Sequence, residues 1–293
     1  MIEIHPIQQQ KCILGEGSYW DHKRSTLWSV DIKSQLIFSY EPETQEHKKF
    51  HFGQQVSCAI PRKSGGLMLT SETGFHYFDP KSGHTEPLFD PESHIKSNRF
   101  NDAGVDRQGR LWAGTMCTDK TNLRKSASIY QYNSAKIVLK GPGSFYTVNG
   151  IAFSPDGKTM YVSDTNANVQ QIWSFEYDID DGIPFNPRPF FNTKRFTGRP
   201  DGAAVDSAGC YWTAAIGGWA LIRITPKGKI DMMLTLPVEK PSKPAFGGKN
   251  LDTLFVTTIS ENCCRESSQP LAGHTLAITG LGVSGLVDQY VDV

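Results

Sequence analysis

The sequence predicts an all-β chain closed into a six-bladed β-propeller, and three observations carry that prediction. Helical periodicity is scarce, and short runs rich in β-branched and aromatic residues alternate with Gly, Pro, Asp and Ser. One style of tight turn recurs, in Asp21-His-Lys-Arg-Ser-Thr26, Asp106-Arg-Gln-Gly109, Ser154-Pro-Asp-Gly157, Asp206-Ser-Ala-Gly209 and Gly247-Gly-Lys-Asn250. The extended runs that follow are evenly spaced. With Trp28, Met68, Trp112, Tyr161, Trp212 and Phe255 taken as equivalent, the intervals are 40, 44, 49, 51 and 43 residues. Units of this length, each a few antiparallel strands, cannot bury both faces alone, so they stack radially and the ring closes.

In chain order, the runs are Leu27–Ile32, Leu67–Thr70, Leu111–Thr115 with Ala127–Tyr132, Met160–Ser163, Tyr211–Ala214 with Leu221–Thr225, and Leu254–Thr258. The Pro-rich stretch Asp178–Pro200 reads as a surface hairpin with a long connection. The last blade is expected from Thr275–Ile278 and Leu286–Tyr290, with the first strand of the chain pairing onto it. That closure makes one domain of residues 1–293. A β-sandwich is the alternative, and the repeat spacing disfavours it.

Composition narrows the function classes. The chain has 293 residues, 30 Lys+Arg and 30 Asp+Glu. A balanced charge lacks the basic excess of nucleic-acid binders. No apolar run approaches the roughly eighteen residues of a spanning helix, and the N-terminal MIEIHPIQQQKC lacks the pattern of a signal peptide. Membrane and nucleic-acid partners are therefore not expected. The six cysteines, at 12, 58, 117, 210, 263 and 264, form no C-x-x-C pair. They read as mostly buried thiols of a cytoplasmic protein.

The chemistry lies in a positional coincidence. Glu16, Asn101, Asn149 and Asp201 each stand five residues before a blade turn, and the same position falls near Ser57 and Lys243 in the other two units. Residues opening the innermost strands ring one mouth of a propeller's channel. Glu16, Asn149 and Asp201 would then converge as hard oxygen donors, suited to one divalent cation such as Ca²⁺, Mg²⁺ or Mn²⁺. Singly, Asn149-Gly150 and Asp201-Gly202 are ordinary turn formers; their equivalence across units favours a shared site. Other motifs fall short. His47-Lys-Lys-Phe-His51 lacks the zincin Glu and reads as a solvated strand, and Asp178-Ile-Asp-Asp-Gly182 is too short for a calcium loop. Gly282-Val-Ser-Gly285 is no nucleophile elbow, and Gly157-Lys158-Thr159 lacks the upstream P-loop glycine.

Six segments, taken together, resemble one family. They are Leu14-Gly-Glu-Gly-Ser-Tyr-Trp20, Arg99-Phe-Asn-Asp102, Gly109-Arg-Leu-Trp-Ala-Gly-Thr-Met116, Asn149-Gly-Ile-Ala-Phe-Ser154, Pro200-Asp-Gly202 and Ala245-Phe-Gly-Gly248. In this order they resemble the senescence marker protein/gluconolactonase/luciferin-regenerating-enzyme family, with its regucalcin-like sugar lactonases. The resemblance implies a six-bladed propeller holding one divalent metal (Ca, Mg, Mn or Zn) on the residues matching Glu16, Asn149 and Asp201. It implies hydrolysis of a sugar lactone met by Arg99 and Asn101. A Glu often follows the family's A-G-T-M motif by three residues; Asp119 stands there, with a shorter reach. Ser18-Tyr19 replaces the family's usual Pro and aliphatic residue.

A lactone is an ester, and its hydrolysis passes through an oxyanion that a cation stabilises. Asp201 is the expected catalytic group, activating or orienting the attacking water. Arg99 is expected to donate to substrate oxygens, Asn101 to a sugar hydroxyl or water, and Tyr146 and Trp219 to wall the mouth. The alternatives are a non-catalytic calcium-binding or interaction propeller and a metal-dependent hydrolase of other esters.

Overall fold

Strands buried on both faces read as near-continuous runs of apolar and small residues, and strands at an outer edge read as polar. Both kinds recur here once per unit. In the computed structural model, which describes residues 1–7, 10–133, 136–139, 144–264 and 268–292, the order along the chain is as follows. A short strand β1 (Glu3–Pro6) precedes blade one, made of β2 (Gly15–Asp21), β3 (Thr26–Asp31), β4 (Leu36–Glu41) and β5 (Glu46–His51). Blade two is β6 (Val56–Pro61), β7 (Leu67–Ser71), β8 (Gly74–Phe78) and β9 (Thr85–Phe89). Blade three is β10 (Asn98–Val105), β11 (Leu111–Cys117), β12 (Ile129–Asn133) and β13 (Lys136–Leu139). Blade four is β14 (Val148–Phe153), β15 (Thr159–Asp164), β16 (Gln171–Asp178) and β17 (Ile183–Asn192). Blade five is β18 (Arg199–Val205), β19 (Tyr211–Ile216), β20 (Ala220–Ile224) and β21 (Ile230–Thr235). Blade six takes β22 (Pro241–Gly247), β23 (Thr253–Thr258) and β24 (Leu276–Thr279), and β1 completes it as the outermost strand. The register Ile4↔Ile278 closes the ring, as the sequence predicts.

The first strand of each blade is innermost, and each touches both neighbours around the axis: β2 with β6, β6 with β10, and so on to β22 with β2. β2, β6, β14 and β22 are buried along their whole length, whereas β5 is mostly exposed. Aromatic contacts join blades to one another, Trp20 stacking on Phe255 at 5.6 Å and Phe75 meeting Phe100 at 4.6 Å. The recurrent turns are held by a buried aspartate. Asp106 accepts from the Gln108 and Arg110 amides at 2.9 Å, and Asp206 accepts from Ala208 and Cys210 at 3.0 Å. Their second oxygens bind Tyr177 Oη at 2.7 Å and Trp212 Nε1 at 2.9 Å, which couples each turn to the blade interior. Cys12, Cys58, Cys117 and Cys210 are buried.

Two sequence expectations change. The Pro-rich stretch after Asp178 is a tight turn, where Asp178 accepts from the Asp180 and Asp181 amides, followed by the ten-residue strand β17. Its prolines are tolerated because an outer edge strand needs no donor on its free side. Leu286–Tyr290 is not a blade strand. Residues 285–292 instead cross the face opposite the site. The Val291 amide donates to Pro61 O and the Asp292 amide to Gly109 O, both at 2.9 Å, and Tyr290 Oη bonds Asp21. Leu286 and Asp288 thereby line the far end of the axial cavity.

Burial pushes the Asp288 carboxyl up to about 6, against the pull of Arg107 and Lys243. A carboxylate with a folded pKa above its unfolded value takes up a proton on folding, so stability is lost as pH rises from about 4 through the folded pKa. Asp288→Asn is expected to remove that part of the decline when the melting temperature is followed across this range. Superimposable wild-type and variant profiles would contradict the assignment.

Candidate active site

Side chains alternate along a strand, so a regular innermost strand sends only every second residue to the axis. All six innermost strands break that rule at the same level. The innermost strand carries one residue more than its partner between Glu16 and Tyr19, Val56 and Cys58, Phe100 and Asp102, Asn149 and Ala152, Pro200 and Ala203, and Pro241 and Pro244. Each extra residue makes a β-bulge, which bends the strand and re-aims the side chains beside it. The bulges fall at or directly beside Glu16, Ser57, Asn101, Asn149, Asp201 and Lys243.

The glycines that follow Glu16, Asn149 and Asp201 belong to these bulges, not to turns. A Cβ on Gly17 would lie 2.6 Å from Ser57 O, and one on Gly150 would lie 2.2 Å from Tyr211 Oη. One on Gly202 would lie 2.7 Å from Lys243 Cβ. Gly17 and Gly150 also have φ of +62° and +59°, a region that side chains with a Cβ rarely adopt. Glycine thus lets adjacent innermost strands close up around the axis.

The structure brings Glu16, Arg99, Asn101, Asn149 and Asp201 together. Asn149 Nδ2 donates to Asp201 Oδ1 at 2.6 Å and to Thr165 Oγ1 at 2.7 Å, and Thr165 in turn donates to Pro200 O. Because the Thr165 hydroxyl proton is committed, this oxygen can only accept from Asn149, which fixes the amide's orientation. Asn149 Oδ1 then faces Asn101, whose Nδ2 donates to it at 3.1 Å and to Val148 O at 3.0 Å. Arg99 Nη1 donates to Asn101 Oδ1 at 3.1 Å and to Phe100 O at 2.7 Å. Arg99 and Phe100 also line a groove of about 340 Å³ with Glu72, Glu92, Lys96 and Thr118. Asp119 stands apart: it is half-buried, and its Oδ1 accepts from the Thr121 and Asn122 amides of its own loop at 3.0 Å. Tyr146 is half-buried, with Lys125 Nζ 5.7 Å from its ring centre, and Trp219 is half-buried at φ +60° on the same face.

Two residues of the site carried no assigned role in the sequence. Asp102, 1% exposed, directly follows Asn101, and the bulge lets both approach the axis. Its Oδ1 is paired with Lys243 Nζ, itself 5% exposed. The signals were present, as Asp102 closes the Arg99-Phe-Asn-Asp motif and Lys243 occupies the equivalent position of unit six. Strict alternation hid the first of them.

Charge in this cluster is unbalanced. Burial pushes Glu16 up to about 8, and the Asp102 charge adds to the rise. Burial holds Asp201 well above the ordinary carboxylate range, and Glu16 and Asp102 raise it further. Burial lowers the Arg99 guanidinium to about 10 despite the opposing charges of Glu16 and Glu72. For Lys243 burial is the largest single influence and acts downward. Asp102, Cys58 and Glu16 together outweigh it, so the ammonium is held above its usual value. With Lys243 committed to Asp102, Glu16 and Asp201 repel one another whenever both are ionised, in a medium that screens poorly, and so hold their protons to higher pH than ordinary carboxyls. A divalent cation fits this donor set, with Glu16 and Asp201 supplying charge and Asn149 Oδ1 retaining a lone pair. Among the described residues no three His, Cys, Asp or Glu side chains converge to hold a metal by themselves; the Asn149 amide is the neutral oxygen donor beside the two carboxyls.

Comparison with known proteins follows the same line. The sequence profile described as the SMP-30/Gluconolactonase/LRE-like region matches residues 14–260. The chain is 31% identical to 6-deoxy-6-sulfogluconolactonase of Pseudomonas putida, over 96% of each chain. Its fold superimposes on a luciferin-regenerating enzyme with a TM-score of 0.92 at 28% identity, covering all of both chains. It also superimposes on regucalcin of Agrobacterium tumefaciens, described as a calcium-binding protein, with a TM-score of 0.91 at 25% identity over 98% of this chain and 97% of that one.

The charge imbalance makes a stability prediction. In protein stripped of metal by chelator and held at about pH 9, where Glu16 is ionised, Glu16→Gln removes a repelling charge and should raise the unfolding free energy by about 1–2 kcal/mol. The same variant should lose most of the melting-temperature increase that added Ca²⁺ or Mn²⁺ gives the wild type. A chelated variant less stable than the chelated wild type would contradict the imbalance.

Proposed function

We propose a reaction from one premise: the chain belongs to the SMP-30/Gluconolactonase/LRE-like family. The reaction is hydrolysis of a sugar lactone to its aldonic acid. The observation that carries it is the pair of buried carboxyls, Glu16 and Asp201, with the Asn149 amide bonded to Asp201 and the Arg99 guanidinium close to Glu16. Relatives named as lactonases support the reaction class.

Glu16, Asn149 and Asp201 would hold the divalent metal. When bound, such a cation supplies Lewis acidity toward an ester carbonyl and its oxyanion. The chain's own groups do the rest. Asp201 holds the attacking water and takes its proton as the new C–O bond forms at the carbonyl carbon. The ring C–O bond then breaks, and the proton taken by Asp201 passes to the departing alkoxide, which becomes a hydroxyl. Arg99 has donors beyond the Nη1 bonds to Phe100 and Asn101, and its planar fork suits vicinal oxygens of the lactone. Asn101, held by Val148 O and Asn149, orients a sugar hydroxyl. Asp119, whose Oδ1 is taken by its own loop, has Oδ2 left for a substrate that extends beyond the cluster.

A calcium-binding role without turnover is the second reading. It is favoured by the oxygen-only donor set and by the description of the Agrobacterium relative as calcium-binding. One variant separates the two. Asp201→Ala is expected to lower kcat/KM for lactone hydrolysis by about 10³-fold, followed as acid release at constant pH, with an unchanged far-ultraviolet spectrum. Retention of full activity in folded Asp201→Ala would remove Asp201 from the chemistry.

A further inference from the structure

Beneath the mouth, the Asp102–Lys243 pair touches every strand that carries a candidate metal ligand. Asp102 Oδ2 accepts the Ile151 amide at 3.1 Å, two residues beyond Asn149. The Lys243 carbonyl accepts Ser18 Oγ at 2.7 Å, two residues beyond Glu16. The stem of Lys243 packs so closely that a Cβ on Gly202, next to Asp201, would lie 2.7 Å from its Cβ and 2.8 Å from its Cγ. Lys243 Nζ binds Asp102 Oδ1 and donates to Ala103 O at 2.8 Å, so the pair also spans from blade six to blade three. Each of these contacts is made at a bulge.

We propose that Asp102 and Lys243 are positioning residues, a buried ion pair that sets the spacing of Glu16, Asn149 and Asp201 by pinning the bulges on which they stand. The chemical case rests on geometry. Bulged backbone has lost part of its ladder bonding and needs other contacts to fix it. A buried pair is a costly way to gain stability, since two apolar residues of similar volume often serve as well or better. What it adds is direction, because Oδ1, Oδ2 and Nζ each accept or donate along fixed lines to different strands. Groups that orient metal ligands from behind are commonly worth 10–100-fold in metal affinity.

This role rests on the metal-site reading above, and the test keeps the two separable. Lys243→Met, Asp102→Asn and the double variant are compared with wild type. Three quantities are measured: the melting temperature in chelator, the Mn²⁺ dissociation constant by calorimetry on stripped protein, and kcat and KM for one aldonolactone. Each single variant leaves a buried charge unpaired and should melt well below wild type. The double variant leaves none, and its melting temperature should return close to wild type. Positioning predicts that its Mn²⁺ affinity nonetheless stays at least tenfold weaker, with the loss in turnover appearing in kcat. Recovery of both stability and Mn²⁺ affinity in the double variant would overturn the proposal and leave the pair a structural element only. A wild type that binds Mn²⁺ but hydrolyses no lactone would sink the lactonase reading, and the Mn²⁺ affinities alone would still decide the pair's role. A wild type that binds no cation would overturn both.

Discussion

Crowding of the Glu16, Asp201 and Asp102 carboxyls on the axis of a closed ring is the constraint around which the mouth is organised. Carboxylates buried together take up protons, or separate if the backbone can yield. Here it cannot, because each carboxylate stands on an innermost strand locked between two others, and glycines at 17, 150 and 202 draw those strands together. The network of Thr165, Asn149 and Asn101 absorbs part of the negative charge through amide donors. Lys243 neutralises Asp102. What remains is a set of oxygen donors that a small cation with more than one charge fits.

That arrangement needs a ring that does not open. β1 closes blade six from the N-terminal side, and residues 285–292 tie blades one, two and three together across the opposite face. The buried aspartates of the turns anchor that same face to the blade interiors. Rigidity at the bottom of the channel thus supports strain at the top, the usual division between scaffold and site.

The blades were legible because each repeats a physical pattern: a tight turn and then an aromatic or Met on the second strand, from Trp28 to Phe255. The mouth was legible for a related reason, since counting back from those turns located Glu16, Asn101, Asn149 and Asp201 and placed the other two units near Ser57 and Lys243. What the sequence did not disclose came from places where period two fails. The bulge at Asn101 brings Asp102 to the axis beside it, which alternation forbids, and so the partner of Lys243 was missed. Asn149-Gly150 resembles a turn in sequence because a bulge and a turn ask the same conformational freedom of glycine, whereas Asp201-Gly202 needs its glycine for the close approach of Lys243. Prolines hid β17, whose edge position makes them harmless. The segment Leu286–Tyr290 has strand-like residues but spends its hydrogen bonds on several blades instead of one ladder.

The central claim is that this mouth uses a bound divalent cation to open a sugar lactone. The most direct test is acid release from a small panel of aldonolactones (glucono, galactono, arabinono and xylono) by wild-type protein, first after chelation and then with Ca²⁺, Mg²⁺, Mn²⁺ or Zn²⁺ restored singly. The account predicts no release above the uncatalysed rate in chelator and restored release with at least one metal. Equal hydrolysis with and without chelator, or none with any metal in protein that binds the cation, would contradict it.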